Sequence, residues 1–209
     1  MSHKLYLYPK WIRFWHWLNA LMFIILIITG ISMQYTDKES NYLIIHFDWA
    51  VVLHNIAAFI ITISYMIFVT GNVLSSNGKQ YRIDYKKIWK ELLIQFRFYA
   101  FGMFKGEAHP FPVTEERKFN PLQQFVYVMA MYVGFPVLII TGLGLLFPEI
   151  NIKGLFGISG LLMTDLLHIT VGFFLSIFMI IHLYTCTLGS KPTSLFKSMI
   201  TGYHESDEH

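Results

Sequence analysis

Charge is scarce in this sequence. Asp, Glu, Lys and Arg supply 14% of its 209 residues, against about 25% in an average soluble domain, and that deficit argues against a water-soluble protein. Cysteine is scarcer still. The single Cys186 excludes an internal disulfide, a four-cysteine iron–sulfur or zinc site, and covalent haem attachment through a C-x-x-C-H motif, so any redox group must be held by other side chains. The formal charge of +3 is too small, in a chain this apolar, to suggest nucleic acid as a partner. Internal repeats and low-complexity tracts are absent from the sequence.

What is abundant is apolar and aromatic: 55% and 17% of the residues. Four uncharged runs stand out, at residues 14–33, 49–71, 122–147 and 166–190. Each is long enough to cross a bilayer core, which takes about 20 helical residues. The pieces between them are too dispersed for a second globular domain. The sequence therefore predicts one all-α integral membrane domain over 1–209, a four-helix bundle. The basic N-terminal stretch precedes a run longer than a signal-peptide core, with no A-x-A-like site after it, and reads as a retained first span.

Lys and Arg set the expected orientation, because basic residues stay on the cytoplasmic side during insertion. Segments 1–13, 72–121 and 191–209 hold 14 of the 16 basic residues, leaving only Lys38 and Lys153 for 34–48 and 148–165. Both termini and the 50-residue connection between the second and third runs are expected in the cytoplasm, in a bacterial inner membrane. Within that connection, Ile88, Leu92, Phe96, Tyr99 and Met103 recur at helical spacing among Lys86, Lys87, Lys90, Glu91 and Arg97. This predicts an amphipathic helix, lying on the membrane surface or packed on a partner subunit. Pro110, Pro112 and Pro121 then mark irregular chain, and 205–209 reads as a frayed end.

Chemistry enters with histidine. Of nine, His3, His109, His204 and His209 fall in inner segments and His46 in an outer loop, while His16, His54, His168 and His182 lie in the spans. An ionisable group at that depth is costly and marks a functional site by default, although a lone one is more often a hydrogen-bonded structural residue. Here the four form a pattern. His168 and His182 share one helix face to within about 40° and stand about 21 Å apart along the axis. With the helices alternating in direction, His54 comes to the depth of His168 near the outer side, and His16 to that of His182 near the inner side.

Two imidazoles facing each other at each of two depths suit bis-histidine ligation of haem b between bundle helices. Zinc normally takes four protein ligands in a closed site, and the only acidic residue near either pair is Asp165, at a span end. The residue four positions after each histidine is small: Ala20, Ala58, Gly172 and Cys186. That leaves room for a porphyrin, though small residues are also common at membrane helix contacts.

The run Arg13–Asn19 (R-F-W-H-W-L-N), Thr29-Gly30, His54, residues 118–123 (K-F-N-P-L-Q), Thr141-Gly142 and the His168/His182 pair together resemble the di-haem cytochrome b subunits of membrane-bound formate dehydrogenase, nickel–iron hydrogenase and thiosulfate reductase. The resemblance spans nearly the whole chain. It implies two haem b groups, ligated by His16 with His182 on the inner side and His54 with His168 on the outer, the same pairs as the depths give. It also implies a quinone pocket near the inner haem, where Asn120 and Gln123 match. Asn120 serves equally as a helix N-cap ahead of Pro121, and Phe119 stands where a Tyr is common in the family.

The expected role is electron relay between the membrane quinone pool and an iron–sulfur or other electron-transfer subunit of a formate dehydrogenase-, hydrogenase- or thiosulfate reductase-like complex on the outer face, with no primary substrate site in this chain. Two alternatives use the same sequence. A stand-alone superoxide:quinone oxidoreductase would need the same four histidines but a shorter inner connection. A transporter with structural histidines would show paired Gly/Pro-broken spans, and only Pro136 interrupts a span here.

Overall fold

The computed structural model describes residues 3–37, 39–155, 157–189 and 191–206; Lys38 and the expectation for residues 207–209, His209 included, fall outside them. In chain order the elements are strand β1 (His3–Tyr6), helices α1 (Lys10–Tyr35), α2 (Phe47–Leu74), α3 (Ile88–Arg97), α4 (Pro121–Met129) and α5 (Phe135–Leu146), the short strands β2 (Gly154–Leu155) and β3 (Ile158–Ser159), helices α6 (Gly160–Thr185) and α7 (Ser194–Thr201), and strand β4 (Tyr203–Ser206).

Among the described residues four helical stretches are long and apolar enough to cross a membrane: α1, α2, the α4–α5 pair over Pro121–Leu146, and α6. The fourth starts at Gly160 and not at 166. Asp165 ends the uncharged run without interrupting the backbone ladder, since one carboxylate costs a helix little near its end. Within the third, Pro136 has no N–H to give and its ring crowds the carbonyl one turn back. The chain absorbs this with a widened π-turn over Ala130–Gly134 between α4 and α5, the usual form of such a local fault.

The chain divides into two compact units: Met1–Arg13, Thr70–Val133 and His182–His209 form the first, Phe14–Val69 and Gly134–Ile181 the second. In the first, β1 and β4 pair antiparallel from His3↔Ser206 to Tyr6↔Tyr203, so Glu205 and Ser206, expected in a frayed end, belong to a sheet. Gly202 makes the turn into β4 at φ +90, and its carbonyl accepts from the Leu7 and Tyr8 amides at 2.9 and 3.2 Å. A Cβ at Gly202 would come within 2.8 Å of the Tyr8 carbonyl oxygen, so both the sign of φ and the space call for glycine there.

The connection between α2 and α4 contains a helix, α3, but its faces differ from the stripe expected over Ile88–Met103. Ile88 and Gln95 are buried on α3, and Phe98 and Gly102 on the π-turn that follows it, while Phe96 is 67% exposed. Steps of four residues drift about 40° each, so Phe96 has turned about 80° from Ile88, whereas the seven-residue step to Gln95 returns to within about 20°. The exposed side carries Tyr85, Trp89, Leu93, Phe96 and Phe104. Arg117 pairs with Glu91 at 2.8 Å and Arg97 with Glu107 at 3.1 Å, fastening the irregular chain that follows to this helix.

In the second unit all four apolar helices contribute to one packed core. Trp15 of α1 stacks on Phe68 of α2 with ring centres 4.3 Å apart, and its indole N–H donates to the Ser64 carbonyl at 3.0 Å. Phe135 of α5 stacks between Phe23 and Tyr65, at 5.8 Å from each. Gly134 lets α5 close on α6: a Cβ there would lie 3.1 Å from Leu175 Cδ2.

A histidine pair held by threonines

Each in-span histidine is half-buried, on a helix that its neighbours fix in place. His54 of α2 and His168 of α6 lie in the second unit and face each other, ring centres 6.4 Å apart with planes at 65°. An imidazole nitrogen binds a first-row metal at about 2.0–2.1 Å and lies about 1.2 Å from its ring centre, so two rings sharing one ion sit about 6.4 Å apart. The observed spacing is that of such a pair.

The second ring nitrogen of each is already engaged. Thr29 of α1 approaches His54 Nδ1 at 2.9 Å, and its hydroxyl also lies 2.7 Å from the Ile25 carbonyl. Thr141 of α5 repeats this, 2.9 Å from His168 Nδ1 and 2.6 Å from the Val137 carbonyl. A hydroxyl has one proton. A carbonyl only accepts, so the proton goes to the carbonyl one turn back, and the remaining lone pairs accept Nδ1–H from the histidine. Hydrogen positions follow from this heavy-atom network. Both imidazoles then carry their proton on Nδ1 and present Nε2 as a free lone pair.

Glycine follows threonine in both places. A Cβ at Gly30 would stand 3.8 Å from His54 Cε1, and one at Gly142 3.4 Å from His168 Cε1, so the second site tolerates less. One turn after His168, a Cβ at Gly172 would meet nothing within 4 Å. A flat macrocycle between His54 and His168 would need room of this kind one turn from its ligand. A closed four-ligand metal site does not fit, because among the described residues no three His, Cys, Asp or Glu side chains converge.

His16 lies on α1 in the second unit, edge-on to Trp17 at 5.4 Å. Its turn is tied to α2 by Asn19, whose amide donates to Ser64 Oγ at 2.6 Å and to the Trp15 carbonyl at 2.7 Å. His182 belongs to the first unit. Its Nδ1 lies 3.4 Å from the Tyr127 hydroxyl, and Cys186 Sγ is 3.8 Å from its Nε2. Phe119 packs edge-on against Tyr127 at 4.9 Å.

Asn120, also in the first unit, forms a full capping box at the start of α4: its Oδ1 accepts from the Gln123 amide at 2.9 Å, and Gln123 Oε1 accepts from its own amide at 3.1 Å. Its Nδ2 donates to the Tyr99 hydroxyl at 3.0 Å. Burial pushes the Tyr99 phenol up, and the Asn120 bond partly offsets this. The Lys118 ammonium, donating to Asn77 Oδ1 at 3.2 Å, is lowered by its burial.

The sequence does not reveal what Thr29, Thr141, Tyr99 and Tyr127 touch: the first two and Tyr127 meet a histidine, and Tyr99 the Asn120 amide, only through the fold. The two Thr-Gly pairs were a visible signal, repeated in a chain whose spans hold few polar residues.

A family model described as prokaryotic cytochrome b561 matches residues 7–202. The chain is 38% identical over 203 residues to the cytochrome YdhU of Escherichia coli K12, covering 97% of this chain and 76% of that one. It is 26% and 27% identical to Ni/Fe-hydrogenase B-type cytochrome subunits of Cupriavidus necator H16 and Rhodobacter capsulatus, over 66% of this chain in each case and 56% and 53% of those proteins. The chain thus spans little more than half the length of these two. No solved structure matches.

Proposed function

Since the chain belongs to the prokaryotic cytochrome b561 family, whose members are multi-pass membrane proteins with b-type haem, we propose that it is the membrane relay of a larger oxidoreductase. It passes electrons between a partner subunit docked on the outer face and a quinone near the inner face of a bacterial inner membrane. The observation that carries this reading is the His54/His168 pair, 6.4 Å between ring centres with both Nδ1 positions engaged. These two would hold one haem b, and His16 with His182 a second, the latter pair on helix spacing and family resemblance. A bound haem supplies reversible one-electron exchange. The chain's own contribution is to present neutral imidazole at fixed places, exclude water with apolar helices, and leave catalysis on the primary substrate to the partner. A hydrogenase-type partner is supported by the two named relatives; formate dehydrogenase- and thiosulfate reductase-like partners rest on the resemblance alone.

The test is a pyridine haemochrome assay on purified protein. Two haem b per chain with low-spin bis-histidine spectra are expected, since His54 stands opposite another imidazole, that of His168, and two imidazole ligands give that spin state. Preparations that take up no haem when it is supplied contradict the reading. Copurification from native membranes, with mass spectrometry of the subunits, identifies the partner.

For the quinone, the support is a group of polar side chains at the start of α4. Asn120 has one amide proton left after its bond to Tyr99. On α3, four positions before Tyr99, Gln95 is fully buried with neither amide atom paired among the described residues. A buried amide without a partner calls for one, and a quinone carbonyl accepts such a donor. Asn120→Asp keeps the cap, because aspartate caps as well as asparagine and the Tyr99 hydroxyl can turn to donate. It removes the donor, and quinone turnover should fall roughly tenfold for a lost hydrogen bond of about 1–1.5 kcal/mol. Asn120→Ala should also cost about 0.5–2 kcal/mol of stability through the cap. Full quinone activity in Asn120→Asp at unchanged stability leaves Asn120 a cap only.

The exposed side of α3, with Trp89, Leu93 and Phe96 beside Lys86, Lys90 and Arg97, suits the bilayer interface, where aromatic rings and lysine ammoniums settle among the headgroups.

A further inference from the structure

We propose that Thr29 and Thr141 are a matched pair of positioning residues that lock the His54 and His168 tautomers and thereby set the redox equilibrium of the group bound between them. The inference rests on the haem reading above and deepens it.

The two arrangements are built alike from separate helices. Thr29 on α1 serves His54 on α2, and Thr141 on α5 serves His168 on α6, across 25 and 27 residues of sequence. Each threonine is almost wholly buried, so no water competes for its lone pairs. Each hydroxyl proton is committed to the carbonyl one turn back, at 2.7 and 2.6 Å. A threonine held this way can only accept, so the histidine must donate from Nδ1, and Nε2 is left as the only ligating atom. The glycine after each threonine lets the ring approach, with 3.8 and 3.4 Å to the nearest ring carbon if a Cβ were added.

Two effects follow. The first is preorganisation: both rings are held in the ligating tautomer before any iron arrives, and partners of this kind are worth about 10–100-fold in metal affinity. The second is electronic. An Nδ1–H that donates to an oxygen leaves more electron density on Nε2, which favours the ferric over the ferrous state. Removing one acceptor should shift the ferric–ferrous equilibrium toward the ferrous form by up to about tenfold, which for one electron is 59 mV.

The test uses the full chain in bilayers, with Thr29→Val, Thr29→Ser, Thr141→Val and Thr141→Ser. Valine keeps the volume and removes the acceptor; serine restores it. In haem-free protein carrying 15N-labelled histidine, solid-state NMR reads the tautomer: Nδ1–H at His54 and His168 is expected in the wild type and the serine variants, with loss of that tautomer at one histidine in each valine variant. In haem-loaded protein, redox titration should give a higher potential for one haem only in each valine variant, restored by serine. A purely structural threonine would alter thermal stability and leave tautomer and potential unmoved, and that result overturns the proposal. Wild type that takes up no haem yet shows the Nδ1–H tautomer would sink the haem reading and keep the lock; wild type with haem but an Nε2–H tautomer would do the reverse.

Discussion

Replacing His54 by alanine is expected to remove one haem of two and to abolish electron transfer to quinone. A haem held by His54 and His168 would lose one of its two protein ligands, and the Thr29 hydroxyl, a neutral oxygen, is a far weaker iron ligand than imidazole. The His168 ring, still held by Thr141 at 2.9 Å, keeps a single nitrogen for the site. His168→Ala should have the same consequence, and the double variant should be no worse than either, since residues acting as a unit are not additive. His182→Ala should remove the other haem. Difference spectra of membranes from each variant provide the check. If His54→Ala and His182→Ala lost the same haem, the proposed pairing would be wrong.

Gly172→Leu should separate haem binding from folding in the opposite direction. Glycine inside a helix costs about 0.8–1 kcal/mol relative to alanine, and leucine is nearly as good a helix former as alanine. Side chains on a helix lean toward its N-terminus, so a leucine at 172 points back over the turn that carries His168, into space where a Cβ meets no protein atom within 4 Å. The variant should fold as well as the wild type, or better, and lose the haem between His54 and His168 because the porphyrin edge has no room. Thermal unfolding together with haem content measures both effects. Full haem occupancy in Gly172→Leu would mean that this opening faces lipid. Gly142→Ala makes a graded comparison: its Cβ would stand 3.4 Å from His168 Cε1, tight enough to turn the ring without filling the site.

How much of this was legible in the sequence depends on the range of the interaction. Crossing a bilayer is decided by transfer free energy summed over about 20 consecutive residues, a local quantity, and all four apolar stretches could be read directly. Their ends were less legible, as at Gly160, because hydrogen bonding ends a helix and charge does not. In the connection between α2 and α4 the helix was readable but its face was not. A stripe counted in steps of four drifts off the true period, and the buried position goes to Gln95, a polar residue that an apolar pattern passes over. The pairing of β1 with β4 was invisible, because it joins the two ends of the chain through backbone hydrogen bonds that no side-chain pattern encodes.

For the candidate site, the sequence by itself determined which residue types sit where: four histidines inside apolar helices, a small residue one turn after each, and two Thr-Gly pairs. Helix pitch is fixed, so it also determined that His168 and His182 share a face. Only the tertiary structure decided what His54 and His168 are hydrogen-bonded to. Tautomer choice depends on an acceptor within about 3 Å of one ring nitrogen, and here that acceptor comes from a different helix, 25 or 27 residues away. A threonine in a span reads from sequence as one more small polar residue. It becomes a device for aiming a lone pair only when packing brings its oxygen to a histidine after its own helix has taken its proton.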